Sequence, residues 1–250
     1  MTSTAGLSSV GVAMVFALAL AGCDILPGKP RARAIEETAA TPAMAFDALY
    51  ARQCAGCHGN GGHLGAARPL NDPVYLALVP AKRLRLVIAE GVPGTAQPAF
   101  ATSAGGGLTE EQIDTLVQGL VRTWARPEAT KSSQVPPYAA PLGDPDRGKA
   151  VYAAACAGCH GADGRGGKAG SVMDPSYLAL VSDQYLRTTV IAGRADLGMP
   201  DWRGYISGRP LAPGEISDVV GWLVAQRRPV PGRPVARVSD PLAQGERDRR

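Results

Sequence analysis

The 250-residue chain is 45% hydrophobic but only 5% aromatic, and it holds 31 glycines and 21 prolines. That length suits one large domain or two small ones. Glycine and proline fall short of the roughly 25–30% that marks wholesale disorder, and the composition excludes a collagen, a coiled coil and a polytopic membrane protein. The net charge of +4 is carried by the segment from Arg227 to Arg250, where seven arginines face Asp240, Glu246 and Asp248. A neutral body with a basic tail is a poor nucleic-acid binder, which wants a basic face on its fold.

In chain order, the first feature is an uncharged apolar run of 13 residues, Val10 to Gly22. A membrane-spanning helix needs about 20 such residues, so the run suits the core of a signal peptide. It ends in Leu20-Ala21-Gly22-Cys23, which resembles the lipobox of bacterial lipoproteins. The resemblance implies cleavage before Cys23, acylation of its sulfur and export from the cytoplasm; an uncleaved signal anchor is the alternative. Lys and Arg are absent ahead of the run, a departure from the pattern. Asp24 resembles the signal that retains lipoproteins at the bacterial inner membrane. Residues 1–22 are therefore assigned as signal peptide and 23–43 as a tether.

The other four cysteines stand in two identical strings, Cys54-Ala55-Gly56-Cys57-His58 and Cys156-Ala157-Gly158-Cys159-His160, offset by 102 residues. The offset also relates Tyr50 to Tyr152, Asp72-Pro73 to Asp174-Pro175, and Tyr75-Leu76-Ala77-Leu78-Val79 to Tyr177-Leu178-Ala179-Leu180-Val181. A small domain is repeated in tandem.

Each copy reads as helical. Helices are expected from about Phe46 and from Gly148 into the cysteine strings, and over Ala81–Glu90 and Asp183–Ala192. Ile113, Leu116, Val117, Leu120, Val121 and Trp124 recur on one helical face, with Thr109 and Gln112 as a capping box and Pro127 beyond the end. Ile216, Val219, Val220, Leu223 and Val224 repeat that face. Glycine clusters at Asn60–Gly65 and Ala162–Gly170 are loops. No segment sustains strand alternation, so the fold class is all-α. The repeats span residues 44–126 and 145–228. Between them residues 127–144 form a semi-extended proline-rich linker, and residues 229–250 an Arg/Pro-rich tail.

A Cys-x-x-Cys-His string signals attachment of a c-type haem. Two thiols one helical turn apart reach the two vinyl groups of one haem, and the adjacent histidine falls under the iron. A thiol–disulfide site needs neither the histidine nor the duplication, and a zinc site needs four ligands from one domain. Cys54, Cys57, Cys156 and Cys159 are thus the thioether candidates, with His58 and His160 as iron ligands.

With these strings the chain resembles the class I cytochrome c family in its tandem dihaem form. The resemblance implies a small helical bundle around each of two covalent haems, with N- and C-terminal helices crossing. Gly148, Tyr152, Trp222 and Leu223 match that crossing in the second copy; Tyr50 and Leu120 match in the first, where Phe46 replaces the glycine. Each porphyrin would supply the flat apolar bulk that the aromatic shortage leaves missing.

The resemblance also implies a methionine ahead of proline as sixth ligand. Met199-Pro200 lies 39 residues beyond His160. Met173, the alternative, lies only 13 beyond and aligns with Asn71. In the first copy the same slot holds Gln97-Pro98. Three readings stay open there: weak ligation by the Gln97 amide, an open or water-filled site, or a distant donor such as His63 or Met44. The family's proline whose carbonyl accepts from the haem histidine matches Pro69; Ser171 stands there in the second copy, which puts that contact in doubt. Trp202, Arg203 and Tyr205, then Arg85 and Arg187, are candidates to hold haem propionates.

The expected function is single-electron relay in a membrane-associated respiratory or photosynthetic chain. The protein would be lipid-anchored at the periplasmic face of the bacterial inner membrane, its first haem of lower potential than its second. Expected partners are a quinol-oxidising complex, a terminal oxidase or another cytochrome, with no nucleic acid. The rival is a peroxidase-like enzyme or ligand-binding haem protein using an open sixth site on the first haem; against it, Thr95-Ala96-Gln97 offers no His or Glu as general base.

Overall fold

A computed structural model describes residues 45–131 and 133–228; Cys23, the tether, Met44 and the arginine tail lie outside the described residues. Among the described residues there are ten α-helices and no strand beyond isolated bridges, the all-α class that the sequence implies. The first half carries α1 (Phe46–Gln53), α2 (Ala55–His58), α3 (Pro73–Leu78), α4 (Ala81–Glu90) and α5 (Glu110–Trp124). The second repeats them as α6 (Pro145–Ala155), α7 (Ala157–His160), α8 (Pro175–Leu180), α9 (Asp183–Ala192) and α10 (Pro213–Ala225).

Local chemistry sets the helix starts. Thr109 Oγ1 accepts from the Gln112 amide (3.3 Å), and Gln112 Oε1 accepts from the Thr109 amide (3.0 Å), the expected capping box of α5. At α10 the cap is Ala212, which has no side-chain oxygen. Glu215 still accepts from the Ala212 amide (2.8 Å), and Pro213 at the first helical position needs no partner. Asp72 and Asp174 cap α3 and α8 by accepting from Tyr75 and Tyr177 amides at 2.7 and 2.9 Å.

The crossings of α1 on α5 and of α6 on α10 explain why Phe46 stands where the second copy has Gly148. A side chain on Gly119 of α5 would overlap the Phe46 ring, so that glycine is the socket for it. In the second half the sizes are exchanged: Gly148 presses on the Asp218 carbonyl and on Trp222, the residue of α10 that corresponds to Gly119. One large and one absent side chain fill the crossing in each half, on opposite helices. Around them Phe46 and Tyr50 each meet Trp124 edge to face and lie tilted to each other, the three ring centroids 5.1–5.8 Å apart, while Tyr152 and Trp222 lie 4.4 Å apart.

The proline-rich segment, expected as a semi-extended linker, packs against the second half. The described residues belong to one compact unit, and the segment is fastened along the second half. Buried Arg187 of α9 donates to the Pro137 and Tyr138 carbonyls at 2.9–3.2 Å, and Arg203 donates to the Ala129 carbonyl at 3.1 Å. The halves also share core. Val74 and Leu78 of α3 are buried in the cluster formed by the second half, while Leu76 is buried in the first. In α8, with nearly the same sequence, Leu180 is 50% exposed. No helix among the described residues is long and apolar enough to cross a membrane.

Over-packing a tight contact costs about 1–3 kcal/mol. Gly119→Ala is therefore expected to lower the Tm of the full chain by several degrees, and to cost much less in a Phe46→Ala background. An equal cost in both backgrounds, measured by thermal unfolding, would show that the ring is not what fills the socket.

Candidate functional site

The two cysteine strings fold identically. Cys54 breaks α1 from the single turn α2, with its amide donating to Tyr50 O (2.9 Å), and the His58 amide donates to Cys54 O (3.0 Å). Cys156 and His160 repeat both bonds at 2.8 and 3.0 Å. Each cysteine pair thus shares one helical turn with its histidine just behind it. Gly59 and Gly161 end the turns at φ +81° and +82°, in backbone that other residues rarely adopt. Their carbonyls accept from the Tyr50 and Tyr152 hydroxyls at 2.9 and 2.7 Å.

The glycine loops then fold back beneath each turn. Ala67 and Ala169 amides donate to the Cys57 and Cys159 carbonyls, both at 2.9 Å, and Gly65 and Gly167 lie so close to those carbonyls that a side chain would overlap them. The returning strand brings a carbonyl to each histidine: His58 Nδ1 donates to Arg68 O (2.6 Å) and His160 Nδ1 to Gly170 O (2.8 Å). A carbonyl only accepts, so Nδ1 carries the proton and Nε2 keeps its lone pair for a metal. The acceptor is thus the residue before Pro69, and the Ser171 that stands in the second copy costs nothing.

Burial pushes the Cys54 and Cys156 thiols up to about 11, with the neighbouring Cys57 and Cys159 adding to the effect. None of the four is in a disulfide, and Cys57 and Cys159 are exposed. His58 is held below its usual range. Burial is the main cause and the charges of Arg68 and Arg194 add to it, against the opposing bond to the Arg68 carbonyl.

Gln97 and Met199 occupy one structural slot. Gly91 (φ +67°) and Gly193 (φ +73°) press against the Gln97-Pro98 and Met199-Pro200 backbones, and the Val92 and Arg194 amides donate to the Gln97 and Met199 carbonyls at 3.0 Å. Gln97 Nε2 donates to its neighbour's carbonyl, Pro98 O (3.3 Å). Met173 packs on Gly164 in the loop beside His160, and its amide donates to Gly164 O (3.2 Å). His63 is exposed, its Nδ1 accepting from Asn71 Nδ2 (3.1 Å).

Of the five propionate candidates, four have other partners or places. Arg85 pairs with Asp114 (2.7 Å) and Glu110 on the surface; Arg187 holds the linker; Arg203 pairs with Asp201 and stacks on the buried Trp202. Tyr205 differs. Its hydroxyl is buried with no hydrogen-bond partner among the described residues, and burial raises its pKa, with the charges of Cys156 and Asp201 adding to the rise. A buried hydroxyl without an acceptor costs about 1–3 kcal/mol. An orphaned donor close to a thioether cysteine is what a polar edge of a bound haem would satisfy, so the residues present fit that group.

Sequence reasoning missed a latch between the halves. Arg194 Nε donates to Asp196 Oδ1 (2.9 Å), Arg194 Nη2 donates to Gly65 O (3.3 Å), and Asp196 Oδ2 accepts from the Leu64 amide (3.2 Å). Arg194 and Asp196 lie on the Met199 loop, while Leu64 and Gly65 lie on the loop under His58. Leu64 stands at φ +61°, and its amide bond to Asp196 helps hold it there. Only the departure from the repeat, Val92 and Gly94 at the matching positions, marks the pair in the sequence.

Paired cysteine turns backed by carbonyl-held histidines on short helices define a c-type cytochrome fold. The chain matches the family model described as cytochrome c oxidase, cbb3-type, subunit III over residues 41–118 and 143–223, and it belongs to that family, within the class I cytochromes c. Such domains hold haem c covalently and transfer electrons. A chain of the Kuenenia stuttgartiensis reducing HAO-like protein complex is similar at 17% identity, over 74% of this chain and 97% of that one, with a TM-score of 0.46. No curated protein matches.

Arg194 holds the Asp196 carboxyl below its usual value of 3.8. A depressed folded-state value gives stability that is present above the unfolded value and lost as pH falls through the folded one. The stability gap between wild type and Asp196→Asn, read from urea midpoints, is therefore expected to be full at pH 6 and to close below about pH 4. A gap unchanged from pH 6 to pH 3 would mean that the latch is not ionic.

Proposed function

We propose that the protein is a dihaem c-type cytochrome that relays single electrons in a membrane-associated respiratory or photosynthetic chain. Acyl chains on Cys23 would hold it at the periplasmic face of a bacterial inner membrane, within reach of a quinol-oxidising complex, a terminal oxidase or another cytochrome. The observation that carries the reading is the doubling of one site: two single-turn cysteine strings, each with a histidine whose Nδ1–H is tied to a carbonyl.

Haem c, when bound, supplies a one-electron iron centre whose potential its axial ligands set. Cys54 and Cys57 would hold one haem and Cys156 and Cys159 the other. His58 and His160 would offer Nε2 to the iron, each kept in one tautomer by its carbonyl. Met199 would complete the second site with a thioether, which favours ferrous iron and raises the potential. The equivalent Gln97 brings no sulfur, so the first half would be the lower-potential site and electrons would run from the first half to the second. Tyr205 would donate to the haem of its own half.

Two covalent haems per chain are expected by pyridine haemochromogen assay, with two separated midpoints in a redox titration. Gln97→Met is expected to raise the lower midpoint by on the order of 100 mV, within the roughly 0.8 V that axial ligation commands, and to leave the upper one in place. Equal midpoints in the wild type would overturn the graded pair. Peroxide turnover by the wild type that Gln97→Met abolishes would replace the carrier with an enzyme.

A further inference from the structure

We infer that Arg68 is the residue through which the second half positions, and lends charge to, the proximal histidine of the first. The inference rests on the dihaem reading above. Arg68 has two attachments that point in opposite directions. Its carbonyl accepts from His58 Nδ1 (2.6 Å), while its side chain, in a residue only 4% exposed, crosses into α9 of the other half. There the guanidinium donates to Thr189 Oγ1 (2.6 Å), Thr188 Oγ1 (2.8 Å), the Tyr185 carbonyl (3.2 Å) and the Thr188 carbonyl (3.4 Å). It also lies over the Tyr75 and Tyr185 rings at 4.7 and 5.0 Å.

The repeat isolates this arrangement as a departure built on both sides. Arg68 corresponds to Gly170, which offers His160 the same carbonyl but no side chain. Its receivers Tyr185, Thr188 and Thr189 correspond to Arg83, Leu86 and Val87. Donor and pocket thus differ between the copies at complementary positions, and only the first histidine has the connection.

The charge is a second consequence. Arg194, the other cation bearing on His58, pairs with Asp196. Arg68 forms no ion pair among the described residues: its partners are neutral oxygens and rings, and the carboxylate whose charge it feels, Asp72, is turned to the Tyr75 amide. A buried cation beside the proximal ligand opposes the extra positive charge of ferric iron and favours the ferrous state, because Coulomb interactions are weakly screened in the interior.

The test is redox titration of the intact, haem-loaded chain, with Gln97→Met used to mark which midpoint belongs to the first half. Arg68→Met is expected to shift the first site's ferric–ferrous equilibrium about three- to tenfold toward ferric, a fall of about 30–60 mV at 59 mV per tenfold, with the second midpoint unmoved. Arg68→Lys should recover part of the fall by keeping the charge. Thr188→Val with Thr189→Val, which leaves Arg68 itself intact, should lower the same midpoint by less, although both substitutions lie in the second half; this pair decides the matter should Arg68→Met fail to fold. Midpoints that move together, or not at all, overturn the inference. A chain that takes up no covalent haem overturns the dihaem reading as well, whereas two haems with unmoved midpoints overturn this inference alone.

Discussion

Everything in each half hangs on a single helical turn and the loop that returns under it. The turn sets two thiols and a histidine on one face, and it stops within four residues because Gly59 and Gly161 take backbone angles that side chains resist. The returning loop is then short enough to bring a carbonyl to Nδ1. This constraint explains the glycine-rich composition locally: Gly65 and Gly167 are where the loop touches the turn, and any Cβ would push it away. It also explains the conservative crossing of the outer helices, since Tyr50 and Tyr152 reach from α1 and α6 to the carbonyls that end the turn.

Upon that repeated frame the halves have diverged where they meet. α3 is shared by both cores, Arg68 enters α9, and the Arg194–Asp196 pair closes on the loop under His58. All three contacts bring the proximal side of the first half against the second half, so the two sites are held by one framework. A chain built for independent domains would have kept the exposed surfaces of a free module at these positions. Instead a buried arginine gives up its hydration, which is tolerable because four oxygen acceptors and two aromatic faces replace the water.

The longer helices and the cysteine strings were legible in the sequence because they rest on local rules, such as a capping box at Thr109 and an apolar face from Ile113 to Leu120; the short α3 and α8 were not expected, although Asp-Pro pairs start them. The slot of Gln97 and Met199 was legible because the repeat fixes equal spacing to the histidine. The interface was not. Arg68 reads as one more charged loop residue until its partners 117–121 positions away are known, and Leu78 and Leu180, alike in sequence, differ in burial only because one faces the other half. The exchange of Phe46 and Gly119 for Gly148 and Trp222 escaped for a related reason: each substitution makes sense only beside its partner on the opposing helix. Assigning the histidine's acceptor to Pro69 missed by one residue, since a carbonyl's direction depends on backbone angles that residue type alone leaves open.

On the proposed dihaem reading, the electronic asymmetry between the halves would have two components of opposite sign. An amide in place of sulfur at position 97 would remove a ligand that favours ferrous iron, whereas the buried cation of Arg68 would favour it. If both acted at full strength on one centre, ligand chemistry would dominate, because it acts through a bond to the metal and the cation acts through space. The cation would therefore moderate the difference between the sites and leave its order intact. A moderated difference would keep transfer between the halves downhill while limiting the driving force lost at the step. On the proposed dihaem reading, the same residue that fastens the halves together would thus bear on the energy gap between them, joining mechanical and electronic coupling in one side chain.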